Sequence, residues 1–174
     1  MNLLAQLKPV KLIAMDVDGV LTDGSLLLLN DGQMARTMNI KDGYALQLAV
    51  KKGYHLLVIS GAAGDIGVIS RLEKLGIKEI HTGVTDKAAL LNEKMKSLNI
   101  SKEEALFIGD DIPDLLAMQE VGFPCCPSDA ATEIKNISKY ISSENGGKGC
   151  VRDIIEKLLK LNNHWDLNAG VTSK

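Results

Sequence analysis

Short apolar runs alternate along the chain with longer amphipathic stretches, and several of the runs stop at an acidic or hydroxyl residue. Lys11–Val17 (KLIAMDV), His55–Ser60 (HLLVIS) and Ala105–Ile108 (ALFI) have the length and apolar content of buried strands. Glu79–Thr82, a short stretch before Ala130, and Tyr140–Ile141 predict shorter strands. Between them, Asp42–Lys52 reads as a helix closed by Gly53, and Asp65–Leu75 as one that stops at Gly76. Lys87–Leu98 reads as a third helix, with Thr85 or Asp86 near its start. Ser101–Glu104 (SKEE) fits a capping box on a short helical turn. Pro113 suits the first turn of a helix running to Val121. Further helices are predicted from about Ala130 and over Val151–Leu161. Ser25–Asn30 and Gln33–Met38 flank Asp31-Gly32, a hairpin-turn signal. This alternation predicts an α/β fold with a mainly parallel sheet. There is no internal repeat and no linker, so one domain is expected over 1–174, with a loosely ordered tail at about 162–174.

Composition narrows the function classes. Aromatics are only 3% of the 174 residues, so the core must be built mainly from Leu, Ile, Val and Ala. A net charge of −2 gives no sign of a nucleic-acid or membrane-surface partner. No stretch approaches the roughly 20 apolar residues of a membrane span, and MNLLAQLKPVK lacks the cleavage site of a signal peptide. Cys125, Cys126 and Cys150 show no metal-ligand spacing and predict a reduced, cytoplasmic chain.

The chemistry concentrates where strands end. In Met15–Asp23 (MDVDGVLTD), Asp16 and Asp18 follow a buried strand, and strand C-terminal ends are where open α/β sheets bind ligands. Residues two apart in an extended segment point the same way. Two like charges facing one site are costly without a cation between them; the plain alternative is a pair of solvated turn aspartates. Phe107–Asp114 (FIGDDIPD) repeats the pattern with Asp110, Asp111 and Asp114. These acids could complement a helix N-terminus, but three directly after a strand exceed what capping needs. Two such clusters point to magnesium, which prefers oxygen ligands and keeps waters for phosphate oxygens to displace. Ser60-Gly61 follows a strand and precedes a helix, where a hydroxyl and free N–H groups suit a phosphate, or form an ordinary turn. Lys87 opposes the dipole of the helix it opens, so a phosphate or carboxylate partner would explain it as well as plain solvation does.

In content and order, D-V-D-G, Ser60-Gly61, Asp86-Lys87 and G-D-D-x-x-D resemble the four motifs of the haloacid dehalogenase superfamily. The resemblance implies a Rossmann-like sheet flanked by helices and an aspartyl-phosphate mechanism. By that resemblance Asp16 is the nucleophile and a metal ligand, and Asp18 the general acid/base with its backbone carbonyl on the metal. Asp110 is the other protein ligand, Asp111 and Asp114 lie behind it or on metal-bound water, and Ser60, Gly61 and Lys87 hold the phosphoryl oxygens. From Lys11 to Leu161 the chain is more closely similar to the bacterial 3-deoxy-D-manno-octulosonate 8-phosphate phosphatases. Ala14–Gly24 resembles their opening and Asn39–Gly43 (NIKDG) their substrate-contacting loop, and Gly146–Asp153 (GGKGCVRD) resembles their glycine-arginine segment. That likeness implies a phosphorylated sugar-acid substrate and no large cap domain. It also implies a homotetramer in which a neighbour's flap hairpin, about 24–38, and C-terminal segment close each site. Asn39, Ile40, Lys41, Asp42, Gly43, Arg71 and Arg152 are its implied substrate-binding residues. The family's usual arginine after Ser-Gly is Ala62 here, which leaves a branch acting on nonulosonate 9-phosphates as the alternative substrate reading. Lys41, Arg71 or Arg152 could supply the missing charge.

Two other readings fit less well. A signalling receiver domain also gathers acids, a hydroxyl and a lysine around magnesium, but it accepts phosphate at the end of its third strand. A non-catalytic relative would not need every acid kept. His55, His81 and His164 are scattered, Met34, Met38, Met95 and Met118 read as fillers, and Cys125-Cys126 as buried packing. Trp165 is expected to be exposed or to sit at a subunit interface.

Overall fold

The computed structural model describes residues 3–166 and 168–171. Its centre is a six-stranded parallel sheet in the order β5-β4-β1-β6-β7-β8. The strands are β1 Leu12–Met15, β4 His55–Ile59, β5 Glu79–His81, β6 Ala105–Ile108, β7 Phe123–Cys126 and β8 Tyr140–Ile141. Every residue of β1, β6 and β7 is buried, as expected of parallel strands covered on both faces.

Helices cover the two faces: α1 Ile40–Lys51, α2 Ile66–Lys74, α3 Lys87–Ser97, α4 Leu115–Gln119, α5 Thr132–Ile137 and α6 Cys150–Leu161. The strands alternate between two cores. Ile13, Met15, Leu106 and Ile108 face α1, α2 and α6, packing with Leu46, Leu72 and Ile155. Leu12, Ala14, Ala105 and Phe107 face the other side, with Leu91 of α3, Met118 of α4 and Ile134 of α5. Among the described residues no helix is long and apolar enough to cross a membrane.

Between β1 and α1 lies a two-stranded antiparallel hairpin, β2 Leu27–Leu28 and β3 Met34–Ala35, extended by a Thr22–Met38 bridge. Among the described residues no large cap accompanies it. The turn falls at Asp31-Gly32, where Gly32 adopts a φ of +84°. The strands are shorter than Ser25–Asn30 and Gln33–Met38, because an exposed two-stranded ribbon has nothing to pack on: Leu28 is 72% exposed.

Other boundaries moved for local reasons. Helix α1 starts two residues earlier than Asp42, because the Asn39 side chain accepts the Lys41 N–H at 2.8 Å and caps it. The segment NIKDG is therefore a cap and first helical turn and not a loop. Pro113 sits in a 3-10 turn, Ile112–Asp114, and α4 stops at Gln119, short of Val121. The described part of the tail packs back on the core. The Tyr54 hydroxyl lies 3.0 Å from His164 Nδ1, and Trp165 is half-buried, edge-on to Tyr44 at 5.9 Å. Leu167 and residues 172–174 of that tail lie outside the described residues. Cys125, Cys126 and Cys150 are buried and free.

Candidate active site

Strands β1 and β6 run side by side with Met15 opposite Ile108. The Asp16 N–H continues the ladder to the Ile108 carbonyl at 3.0 Å. This register brings Asp16 and the Gly109-Asp110 step to one point of the sheet's C-terminal edge. Gly19, at φ +82°, turns the chain back over that point. A Cβ there would fall 2.0 Å from Asp110 Oδ2, so both the conformation and the close approach require glycine.

Lys87, the first residue of α3, reaches into this edge with its side chain only 5% exposed. Its ammonium lies 2.9 Å from Asp16 Oδ2 and 2.7 Å from Asp114 Oδ1. Burial alone would lower the lysine's pKa, but Asp114 and Asp16 outweigh it and hold the ammonium above its ordinary value. The carboxylate partners thus account for a lysine placed against its own helix dipole. Asp114 is fully buried, and its second oxygen accepts the Asp110 N–H at 3.0 Å.

The carboxylates of Asp16, Asp110 and Asp114 each offer an oxygen within 4.8 Å of the others. Burial, then Asp114, Asp16 and Asp111, push Asp110 up to about 7. Burial and Asp114 push Asp16 up to about 6 against the pull of Lys87. The cluster is short of positive charge. Asp110 Oδ1 is buried without a hydrogen-bond partner, whereas both Asp114 oxygens are engaged. Asp110 therefore has an oxygen to offer a cation where Asp114 has none, and the cluster as a donor set fits an oxygen-liganded divalent cation.

Asp18 lies in the turn after β1, outside the cluster of Asp16, Asp110 and Asp114. Its Oδ1 accepts from Arg36 Nε at 2.7 Å, and Arg36 Nη1 reaches Asp65 Oδ2, also at 2.7 Å. Arg36 is the residue that sequence reasoning missed. Nothing in the spacing of a hairpin arginine announces that it joins acids 18 and 29 positions away. Ser60, directly after β4, is buried, and its hydroxyl accepts the Ala62 N–H at 3.2 Å. Gly61 beside it is exposed. Asp111 is exposed at the start of the 3-10 turn.

A second group of expected residues gathers at the start of α1. Asn39 caps the helix, and Ile40 and Lys41 are exposed. Asp42 is buried and accepts the Arg152 N–H at 2.6 Å. It thereby caps α6, whose own N-cap, Gly149, has no side chain to do so. A Cβ on Gly43 would stand 2.7 Å from Arg71 Nη2, so that glycine admits the guanidinium. Arg152 lies over the rings of Trp165 at 4.5 Å and Tyr44 at 5.3 Å, with Glu156 at 2.6 Å from its Nε. The glycine segment buttresses the turn after β1: the Gly147 N–H donates to the Val20 carbonyl at 2.9 Å, and a Cβ on Gly146 would fall 1.9 Å from the Gly19 carbonyl oxygen. A 360 Å³ cavity lined in part by Leu12, His55 and Glu79 sits at the other end of these strands, away from the acids.

Comparison with known proteins agrees with this geometry. The family of haloacid dehalogenase-like hydrolases matches residues 68–154. The 3-deoxy-D-manno-octulosonate 8-phosphate phosphatase of Escherichia coli K12 is 29% identical over 158 residues, which is 91% of this chain and 84% of that one. A crystal structure of the enzyme of that name from Moraxella catarrhalis, in complex with magnesium, phosphate and KDO, is 36% identical with a TM-score of 0.89, covering 93% of each chain. A cobalt-bound structure of the deoxy-D-mannose-octulosonate 8-phosphate phosphatase from Haemophilus influenzae is 30% identical with a TM-score of 0.85, covering 91% of this chain and 92% of that one. With the acids and lysine gathered at the strand ends, and relatives matched along nearly the whole chain, this protein belongs to the haloacid dehalogenase-like hydrolases as a phosphomonoester hydrolase.

Proposed function

We propose that the chain hydrolyses a small phosphorylated sugar acid, 3-deoxy-D-manno-octulosonate 8-phosphate, through an aspartyl-phosphate on Asp16. The observation that carries this reading is the Asp16 carboxylate at the end of β1, 2.9 Å from Lys87 and clustered with Asp110. In the first step an Asp16 oxygen bonds to phosphorus. The bond from phosphorus to the ester oxygen breaks with its electron pair on that oxygen, which takes a proton from Asp18. In the second step water attacks the phosphorus and gives its proton to Asp18, and the phosphorus–Asp16 bond breaks to restore the carboxylate and free phosphate. Lys87 spreads positive charge over the phosphoryl oxygens, and the Ser60 hydroxyl with the Gly61 N–H holds them. Magnesium, held by Asp16, Asp110 and the Asp18 carbonyl, would neutralise charge at the phosphoryl group. Asp111 and Asp114 support that site, Asp114 by anchoring Lys87 and the Asp110 backbone.

The sugar acid is assigned to Asn39–Gly43, Arg71 and Arg152 around the start of α1, by the resemblance of the Asn39–Gly43 and Gly146–Asp153 segments to those of the sugar-acid phosphatases. Ala62 favours nonulosonate 9-phosphates as the second reading. Catalytic efficiencies on octulosonate 8-phosphate, nonulosonate 9-phosphates and plain sugar phosphates decide between them. A tenfold preference, to order of magnitude, for a sugar phosphate lacking a carboxylate would end the sugar-acid assignment while leaving phosphatase activity in place. A homotetramer is proposed to complete the site, supported by the apolar exposure of the flap at Leu27, Leu28 and Met34 and of Ile66 beside it. Sedimentation showing an active monomer would contradict it. Three buried free cysteines suit the reduced cytoplasm, the proposed location.

A further inference from the structure

Arg36 stands on the flap just after β3, yet its side chain is only 9% exposed while its neighbours Ala35 and Thr37 face solvent. Its guanidinium is shared between two carboxylates from separate parts of the fold. Nε lies 2.7 Å from Asp18 Oδ1 and Nη2 lies 3.4 Å from Asp18 Oδ2, while Nη1 lies 2.7 Å from Asp65 Oδ2. Asp65 is itself fixed, because its Oδ1 accepts the Val68 N–H at 2.9 Å and caps α2. The turn after β1, the flap and the start of α2 therefore meet on one side chain.

A guanidinium is planar and its donors form a rigid fork, so anchoring one edge sets the direction of the others. Held by Asp65, the fork of Arg36 has one orientation to offer Asp18. The two Asp18 oxygens are treated unequally: Oδ1 has the close contact to Nε, with the Thr22 hydroxyl 3.5 Å away, and Oδ2 has only the long one. Oδ2 is left the less engaged of the two oxygens.

We propose that Arg36 is a positioning residue for phosphoryl transfer: anchored on Asp65, it grips Asp18 Oδ1 and aims Oδ2 at the leaving ester oxygen. Because Arg36 belongs to the hairpin, placement of the flap and placement of the acid are a single event. The proposal rests on Asp18 acting as the acid, and it predicts a dependence on leaving group that a purely structural ion pair would not give. The alkoxide of an alkyl ester must receive a proton as it departs. The 4-nitrophenolate of an aryl ester is stable without one.

The test compares kcat/KM on octulosonate 8-phosphate, an alkyl ester, with that on 4-nitrophenyl phosphate. This parameter covers events up to departure of the leaving group, so the later water step does not enter. Arg36→Ala is expected to lose at least about tenfold more on the alkyl than on the aryl ester, within the range of a general acid's contribution. Arg36→Lys should recover part of the loss. Asp65→Asn keeps the α2 cap but weakens the anchor, and should show the same bias to a smaller degree; these two variants decide the matter if Arg36→Ala does not fold. Asp18→Asn serves as the reference. If Asp18→Asn discriminates between the esters and the Arg36 and Asp65 variants lose equally on both, Arg36 only fastens the flap and the proposal is overturned. If Asp18→Asn itself does not discriminate, the acid role of Asp18 fails, and this proposal fails with it.

Discussion

Asp42→Asn removes a charge that the fold has buried to 2% exposure. In the native chain one carboxylate oxygen accepts the Arg152 N–H at 2.6 Å, and the other has no hydrogen-bond partner. Burial raises this carboxyl from 3.8 to about 6, against the opposing pull of the Arg152 N–H, the Arg152 charge and the Gly149 N–H. A carboxyl raised on folding makes the folded chain hold more protons than the unfolded one between those two values. Stability therefore falls as pH rises through that window, by about 3 kcal/mol for a shift of roughly two units. An asparagine keeps an acceptor for the α6 N–H and has no charge to desolvate. Urea unfolding at about pH 5 and about pH 8, with magnesium saturating so that the metal cluster stays constant, reads the difference. Asp42→Asn should exceed the native chain in stability at the higher pH by up to about 3 kcal/mol, and the gap should shrink by roughly half, about 1.4 kcal/mol, at the lower one, which lies midway through the window. An unchanged pH slope, or equal destabilisation at both pH values, would refute the reasoning and show that the charged cap of α6 outweighs its burial. The same variant reads the proposed substrate role, because a direct contact would raise KM.

Asp16→Asn should fold normally and lose at least about 10³-fold in turnover, roughly 4 kcal/mol of barrier; phosphate release close to the native rate would remove Asp16 from the mechanism. Chelation should silence the enzyme and magnesium restore it, and Asp110→Ala should raise the magnesium requirement, since one of few protein ligands is lost. In the stripped protein Asp16 and Asp110 are raised to about 6 and about 7, so they too destabilise the fold as pH rises through those values. Magnesium should accordingly raise the melting temperature more at about pH 8 than at about pH 5, and an equal rise would contradict the shared site. Ala62→Arg should change KM for a sugar-acid substrate more than kcat, whereas a change confined to kcat would place position 62 outside substrate binding.

The sheet was legible because its central strands are short apolar runs and most helices have a readable end. Tyr140–Ile141 and Ala105–Ile108 fall where their patterns place them, and the capping box at Ser101–Glu104 is formed. The gathering of Asp16, Asp110, Asp114 and Lys87 was legible because all four lie at strand ends or on the helices that follow. Three features were hidden because they depend on tertiary contacts. Arg36 sits in a ribbon whose own strands say nothing of Asp18 and Asp65. Asp42 reads as the opening acid of its own helix until α6 arrives with an uncapped N-terminus. Trp165 lies in a polar tail and finds its place only because Tyr44 and Arg152 form a surface for it. The early start of α1 was readable in principle, from Asn39 as a capping residue.

The stereochemical course at phosphorus tests the two-step mechanism most directly. An isotopically chiral phosphorothioate ester, hydrolysed in labelled water, yields thiophosphate whose configuration can be read. Transfer to Asp16 and then to water inverts the centre twice, so the account predicts net retention. Net inversion would mean that water attacks the substrate directly, with no phosphoryl group ever carried by Asp16.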